Sequence, residues 1–364
     1  MDLRPKKLDY YIFRKFILTF LIALVLIIGI VIIFDISEKI DDFVSKEAPL
    51  RAIVFDYYVN FVPYFMNMFS PLFVFITVIF FTSRMAANSE IIAILSCGVT
   101  YHRMMRPYLF TALLIALMSL ALGNFVIPHS NQERLKFEQK YIKNRTRFNE
   151  RNIHYMIAPG KYVYVESFSG WNNTAYRFTL EQIDDYELVS KLSAESARWD
   201  SVKACWQLKN YFIRDFQQGG IEDRVRTGAQ LDTVIELSVN DFYRNEKTVE
   251  SLSYGQLNKL ISTQKMRGDK NVMYAQIEKD NRFALPFSAF ILTIMGVSLS
   301  SRKKRGGTGW NLGIGIALSF SYILFMRFSQ MFVYTGALPP GIALWLPNIL
   351  YTIIAGFLYY RASR

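Results

Sequence analysis

Six long apolar runs divide the chain, three before a polar stretch and three after it. A helix that crosses a bilayer needs roughly 20 mostly apolar residues. The first three runs cover about 16–34, 61–81 and 108–127, the second of them interrupted by Pro63 and Pro71. The last three cover about 283–299, 310–334 and 342–360. The first run is too long for a cleavable signal peptide and no small-residue cleavage site follows it, so it reads as a retained signal anchor.

The polar stretch between the third and fourth runs is on the order of 150 residues, the size of an ordinary domain. Its opening, 129–151, is helical in composition, and the pattern then changes to period two. Strand candidates are 161–166, 176–180, 188–193, 204–212 and 233–237, punctuated by turn chemistry at 171–174, at Asp200-Ser201 and at Gln218-Gly219-Gly220. Short strands at intervals of roughly 10 residues predict a sandwich or jelly roll. Helical pattern resumes at Tyr254, and 271–284 leads into the fourth run. The fold class expected is a membrane protein of six transmembrane α-helices, three plus three, with an inserted periplasmic β-jellyroll-like domain. Its parts are 1–130, 131–280 and 281–364.

Charge orients these spans, because Lys and Arg collect in short cytoplasmic flanks. Arg4, Lys6, Lys7, Arg14 and Lys15 precede the first run, and Arg84, Arg103 and Arg106 follow the second. Arg302, Lys303, Lys304 and Arg305 follow the fourth, and Arg361 and Arg364 close the chain. The loop after the first run dilutes Lys39, Lys46 and Arg51 with Asp41, Asp42, Glu47 and Asp56, and the turn 336–340 has no charge. Both termini are therefore expected in the cytoplasm of a bacterial inner-membrane protein, and the polar insert outside. The net charge of +12 follows from this asymmetry plus a basic insert and does not indicate nucleic-acid binding. Hydrophobic residues at 52% and charged residues at 20% fit the same division.

Enzymatic signatures are absent. The chain has no G-x-x-x-x-G-K-[ST] loop, and its one Gly-Lys pair, Gly160-Lys161, lacks the rest of that pattern. It has no H-E-x-x-H and no Ser nucleophile elbow. His102, His129 and His154 are scattered, and Cys97 and Cys205 fall on opposite sides of the membrane, too far apart to pair. A non-catalytic transporter subunit with no cofactor of its own is expected, its energy coming from a partner or an ion gradient. The alternative is an intramembrane enzyme that modifies envelope lipids, which needs clustered polar groups at one membrane depth. An adhesion or signalling receptor would need only one span.

The connection after the second run, 83–99, predicts a short helix over about 88–98. Asn88 or Ser89 suits its start, Glu90 its first turn and Gly98 its end. Such a helix either inserts into a groove on a cytoplasmic protein or lies as a re-entrant or interfacial helix with an exposed Glu.

This segment, Ser89-Glu90-Ile91-Ile92 through Cys97-Gly98, resembles the coupling helix of the LptF/LptG permeases of bacterial lipopolysaccharide export. Val62-Pro63 with Pro71 is similar to that family's second span. Leu8-Asp9-Tyr10-Tyr11-Ile12, and Leu338-Pro339-Pro340-Gly341 with Leu346-Pro347, resemble its LptG branch. The resemblance implies a permease that extracts lipopolysaccharide from the inner membrane and passes it toward the outer membrane. It implies an LptF-type permease partner, an LptB-type ATPase dimer that binds ATP and Mg, and an LptC-type bridge protein. Ser89, Glu90, Ile91, Ile94 and Gly98 would be the ATPase-coupling residues, with Glu90 facing the ATPase.

One departure from the family stands out. LptG members carry basic residues near the external end of the first span and just after the Val-Pro of the second. Here those neighbourhoods read Ile32-Ile33-Phe34-Asp35 and Val62-Pro63-Tyr64. Lipid phosphates need cationic partners. Arg327, inside the fifth run with Gln330 on its helical face, is the replacement expected from sequence. The lipid-binding set expected is thus Arg327, Gln330, Phe34, Asp35 and Tyr64. The competing role for Arg327 is an ion pair with Asp35 or another acid within the bundle.

Overall fold

The computed structural model describes residues 6–142, 151–216, 223–237, 239–242, 246–269, 271–302 and 307–364. Arg4, the segment 143–150, the Gln218-Gly219-Gly220 turn, and Lys303, Lys304 and Arg305 lie outside the described residues. The chain divides into two units. One comprises Met1–Lys143, Glu250–Tyr254 and Gln276–Arg364; the other comprises Asn144–Val249 and Gly255–Ala275.

Helix α1 (Lys7–Ser45) outruns the first apolar run at both ends. The polar residues beyond Phe34 are not helix breakers, and no Gly or Pro occurs until Pro49. Helix α2 (Leu50–Ala52) passes through a π turn, Ile53–Tyr58, into α3 (Val59–Ala87), making one rod from Leu50 to Ala87. Pro63 and Pro71 do not break it, because packed neighbours can re-satisfy the backbone groups that a proline frees. A short α4 (Glu90–Ser96) follows. Helix α5 (Tyr101–Ala121) continues through a second π turn, Leu122–Val126, into α6 (Ile127–Tyr141). The helix expected over 129–151 thus ends at Tyr141, and Arg151 already begins a strand.

Six strands form the insert: β1 (Arg151–Ala158), β2 (Lys161–Ser169), β3 (Thr174–Asp184), β4 (Glu187–Asp200), β5 (Cys205–Asp215) and β6 (Arg224–Thr233). After them come a 3-10 turn (Val239–Phe242), α7 (Glu246–Glu250) and α8 (Tyr254–Met266). The chain then builds α9 (Val272–Ser300), α10 (Gly307–Tyr334) and α11 (Pro340–Ser363). Among the described residues six helical rods are long and apolar enough to cross a membrane, in the order expected from the apolar runs.

In the helical unit, α1 buries a stripe of Ile12, Phe16, Phe20 and Leu24, spaced one turn apart, against α3 and α5. Phe16 meets Phe81 and Tyr108 at ring-centroid distances of 5.6 and 6.4 Å. Helices α9, α10 and α11 are joined through Asn348. Its Oδ1 accepts from the Tyr322 hydroxyl at 2.8 Å, and its Nδ2 donates to the Ala284 carbonyl at 2.8 Å. Side-chain hydrogen bonds of this kind join helices where lipid supplies no hydrophobic drive.

The insert is a single antiparallel sheet in the order β1-β2-β3-β4-β5-β6, an up-and-down meander. Its inward positions alternate along the strands and bury Val163, Val165, Phe178, Trp206 and Leu208. Four of the five strand candidates lie in β2 to β5. The fifth, 233–237, is not a strand beyond Thr233. Ile235 and Leu237 do alternate inward, but they cover the sheet's face, and the Leu237 carbonyl accepts the Trp206 indole N–H at 2.7 Å. Two edge strands went unexpected. β1 carries a legible alternation, with Ile153, Tyr155 and Ile157 buried. β6 carries almost none, being exposed along most of its length, and only its pairing with β5 makes it a strand.

Gly160, at the β1–β2 turn, has φ of +75°, and a Cβ there would lie 2.5 Å from the Ile183 carbonyl oxygen. The Ile183 N–H in turn donates to the Gly160 carbonyl at 2.7 Å. Gly160→Ala combines a left-handed backbone with a clash against backbone that cannot move aside. It is expected to destabilise the sheet by about 2 kcal/mol or more. The check is faster amide exchange at Ile183 and a lower melting temperature of the insert; unchanged exchange would refute the clash.

Candidate functional site

Two polar assemblies stand out in the helical unit. The first surrounds α4. Ser89 takes a left-handed φ of +61° between α3 and α4, and its side chain makes no capping hydrogen bond, so the capping expected of it is not realised. The left-handed turn serves instead to reverse the chain tightly. Gly98, at φ +81°, ends the segment as expected. Ile91 is buried in the core with Ile12, Met85 and Tyr101, and Ile94 packs against the same cluster. Ile92 and Leu95 remain exposed.

The Glu90 carboxylate is turned onto its own chain. The Tyr11 hydroxyl donates to its Oε2 at 2.8 Å, and Lys15 Nζ donates to Oε2 and Oε1 at 3.2 and 3.4 Å. Asn88 Nδ2 donates to Oε1 at 3.5 Å. Burial pushes this carboxyl up, but the hydrogen bonds from Tyr11 and Lys15, with the Lys15 charge, outweigh it and hold the group below its usual value. It is ionised at neutral pH. Two turns earlier in α1, Asp9 receives both Nη atoms of Arg103, at 2.6 and 2.5 Å, a bidentate pair that ties α1 to α5. Asp9 and Tyr11 thus have structural partners on α5 and α4.

The second assembly lines a cavity of about 150 Å³ among α3, α9 and α10, next to the π turn at Gly123. Tyr64, Arg327 and Gln330 of the expected lipid-binding set all line it. Pockets that hold drug-sized molecules run to about 300–1,000 Å³, so this one has room for a polar group such as a phosphate and not for a whole lipid. Arg327 Nη1 donates to Gln330 Oε1 at 3.3 Å, and its Nη2 approaches the Met68 sulfur at 3.8 Å. It pairs with no carboxylate among the described residues. The Tyr64 hydroxyl donates to Glu250 Oε1 at 2.9 Å, across 186 residues of chain.

Arg282 also lines the cavity, and sequence reading passed over it because it sits at the edge of the fourth apolar run. It is only 5% exposed. Its Nε donates to Glu278 Oε1 at 2.8 Å and its Nη2 to the Leu252 carbonyl at 2.9 Å, while Nη1 has no hydrogen-bond partner among the described residues. The four-residue spacing of Glu278 and Arg282 on one helix was the available signal. Two guanidinium groups with unused donor capacity can therefore receive an anionic oxygen here.

Phe34 and Asp35 do not join this cavity. Phe34 is exposed on α1. Asp35 lies among α1 and the π turn before α3, where Lys39 Nζ donates to its Oδ1 at 2.5 Å and the Tyr58 hydroxyl to its Oδ2 at 3.1 Å. Tyr57 bridges Lys39 and Asp35. The Arg327–Asp35 pair considered from sequence is not formed, because Lys39, one turn along the same helix, already neutralises Asp35.

Comparison with curated proteins finds no match. Residues 10–361 match the family model described as lipopolysaccharide export system permease LptF/LptG. The match takes in the spanning helices and the inserted sheet alike, and the chain belongs to the LptF/LptG family of lipopolysaccharide export permeases.

Proposed function

We propose that the chain is one of two permease subunits of a lipopolysaccharide exporter powered by a separate cytoplasmic ATPase of the LptB type, with α4 as the coupling helix. The observation that carries this reading is the form of α4. It is a seven-residue helix between two spanning rods, anchored through Ile91 and Ile94, with Ile92 and Leu95 left exposed. Buried apolar anchors dominate most protein interfaces. ATP and Mg are bound by the partner ATPase and not by this chain. The basic flanks support a reading in which both termini are cytoplasmic and the sheet is periplasmic, handing lipid onward with an LptC-type bridge protein. The second permease is of the LptF type, since Leu8–Ile12 and Leu338–Gly341 resemble the LptG branch.

In the cavity, Arg327 and Gln330 hold a lipid phosphate beside Tyr64. Phe34 gives the acyl chains apolar surface on α1. Asp35 acts through Lys39, which supplies a basic residue one turn beyond the position where the family carries one.

The test is co-expression with the partner permease and ATPase. The purified chain alone is expected to release phosphate only at background rate. Ile92→Asp and Leu95→Asp should each weaken retention of the ATPase by about 30-fold, as loss of an interface anchor does. Full retention by both variants would remove α4 from the interface.

A further inference from the structure

The cavity beside Tyr64 holds charges of both signs. Among the described residues its charged lining is Arg282 and Arg327 against Glu250 and Glu278, so carboxylates offset the guanidinium charge. Glu278 belongs to Arg282, whose Nε donates to it at 2.8 Å. Glu250 is placed differently. It ends α7, outside the spanning rods, and the segment 250–254 packs with the helical unit. Three successive residues of this strap each accept a hydrogen bond from a different helix. Glu250 Oε1 accepts from the Tyr64 hydroxyl of α3 at 2.9 Å, and the Ser251 carbonyl from Gln132 Nε2 of α6 at 2.8 Å. The Leu252 carbonyl accepts from Arg282 Nη2 of α9 at 2.9 Å. Two residues on, the Tyr254 ring packs edge-on against Phe283 at a centroid distance of 5.9 Å. The Glu250 carboxylate is therefore a fixed part of the cavity wall. The bond to Tyr64 does not by itself call for a charge, since a neutral amide oxygen also accepts from a phenol.

We propose that Glu250 sets the affinity of this cavity for a lipid phosphate: its carboxylate, held in the wall by the strap, keeps the phosphate from binding too tightly to leave. The proposal rests on the reading of this cavity as the phosphate site of the exported lipid. A phosphate there is attracted by Arg327 and by the unused Nη1 of Arg282, and is repelled by Glu250 across the same small space. A subunit that passes its cargo on needs both forces. Binding must be favourable enough to admit the lipid and weak enough to release it, as in conduction through a pore. The strap fixes the balance by geometry. Tyr64 holds Oε1, and the backbone bonds at Ser251 and Leu252 keep the segment from swinging away when an anion arrives. Glu250 thus acts on phosphorylated lipids as a class, and a glycolipid without phosphate meets no repulsion from it.

The experiment uses the complete transporter, with its own partner permease and ATPase, titrated in detergent with fluorescent bisphosphorylated lipid A and with the same lipid stripped of its phosphates. Affinity and dissociation rate are read for each variant. Glu250→Gln removes the charge and keeps an oxygen for Tyr64. It is expected to bind the phosphorylated lipid about tenfold more tightly, chiefly through slower dissociation, and the stripped lipid as the wild type does. Glu250→Asp draws the charge back by one methylene and should tighten binding by about threefold. It carries the test if Glu250→Gln does not assemble. Unchanged or weaker binding of the phosphorylated lipid overturns the proposal. So does an equal gain for both lipids, since Glu250 would then act through space and not through charge. Normal lipid binding in Arg327→Ala fails the phosphate-site reading instead. Weakened binding in Arg327→Ala, together with wild-type binding in Glu250→Gln, leaves that reading standing and removes only the role of Glu250.

Discussion

Arg282→Met is expected to destabilise the helical unit by about 3 kcal/mol, the low end of the cost of breaking a buried ion pair. The change leaves Glu278 without the guanidinium that donates to it at 2.8 Å and leaves the Leu252 carbonyl without its donor. Glu278 keeps 21% of its side-chain surface exposed, at the cavity, so water can soften the loss, and the low end of the range applies. Replacing both partners is a different perturbation. With Glu278→Met added, no charge is stranded, and well-packed apolar pairs are often neutral relative to the ion pair they replace. The double variant should therefore melt closer to the wild type than Arg282→Met does. Thermal unfolding of the detergent-purified chain gives both values. A double variant as damaged as the single one would show that something other than the stranded carboxylate causes the loss.

Arg327→Ala is expected to weaken lipid binding by about ten- to a hundredfold while leaving the fold intact. A hydrogen bond to a charged group contributes about 1.5–3 kcal/mol, which sets that range. The fold should survive because the polar contacts of Arg327 among the described residues are a 3.3 Å bond to Gln330 and a 3.8 Å approach to the Met68 sulfur, with no carboxylate there to strand. The two arginines of one cavity thus have opposite signatures: Arg282→Met lowers stability, and Arg327→Ala folds normally but binds poorly. Arg327→Lys should recover part of the binding, since an ammonium keeps the charge and loses the planar fork. Photo-crosslinking of lipid to the purified transporter, with lipid-stimulated ATP hydrolysis as a second reading, measures it. Normal crosslinking in a well-folded Arg327→Ala transporter would exclude this side chain from the lipid site.

The sequence by itself determined the spans, their order and most of the strands, because these depend on local pattern. An apolar run long enough for a bilayer announces a helix whatever it packs against, and all six runs lie within continuous helical segments of the chain. Turn chemistry is local in the same way: residues 171–173 and 201–204 do join strands, and 336–339 do separate α10 from α11. Arg327 was legible as a charge inside an apolar run, Gln330 as its neighbour on one helical face and Tyr64 as the residue after Val62-Pro63, and all three line one cavity. Pairing across the chain was not legible. Glu90 finds Tyr11 across 79 residues and Tyr64 finds Glu250 across 186, and no periodicity encodes either distance. Asp35 looked free until Lys39, which reads as part of a loop, turned out to continue the same helix one turn on. Strand β6 has no inward alternation to betray it and exists through its ladder with β5, whereas 233–237 has the alternation and no ladder. Hydrophobic period and turn chemistry are written residue by residue, but partners for charges and for edge-strand backbones are supplied by distant segments, and only the tertiary structure brings those together.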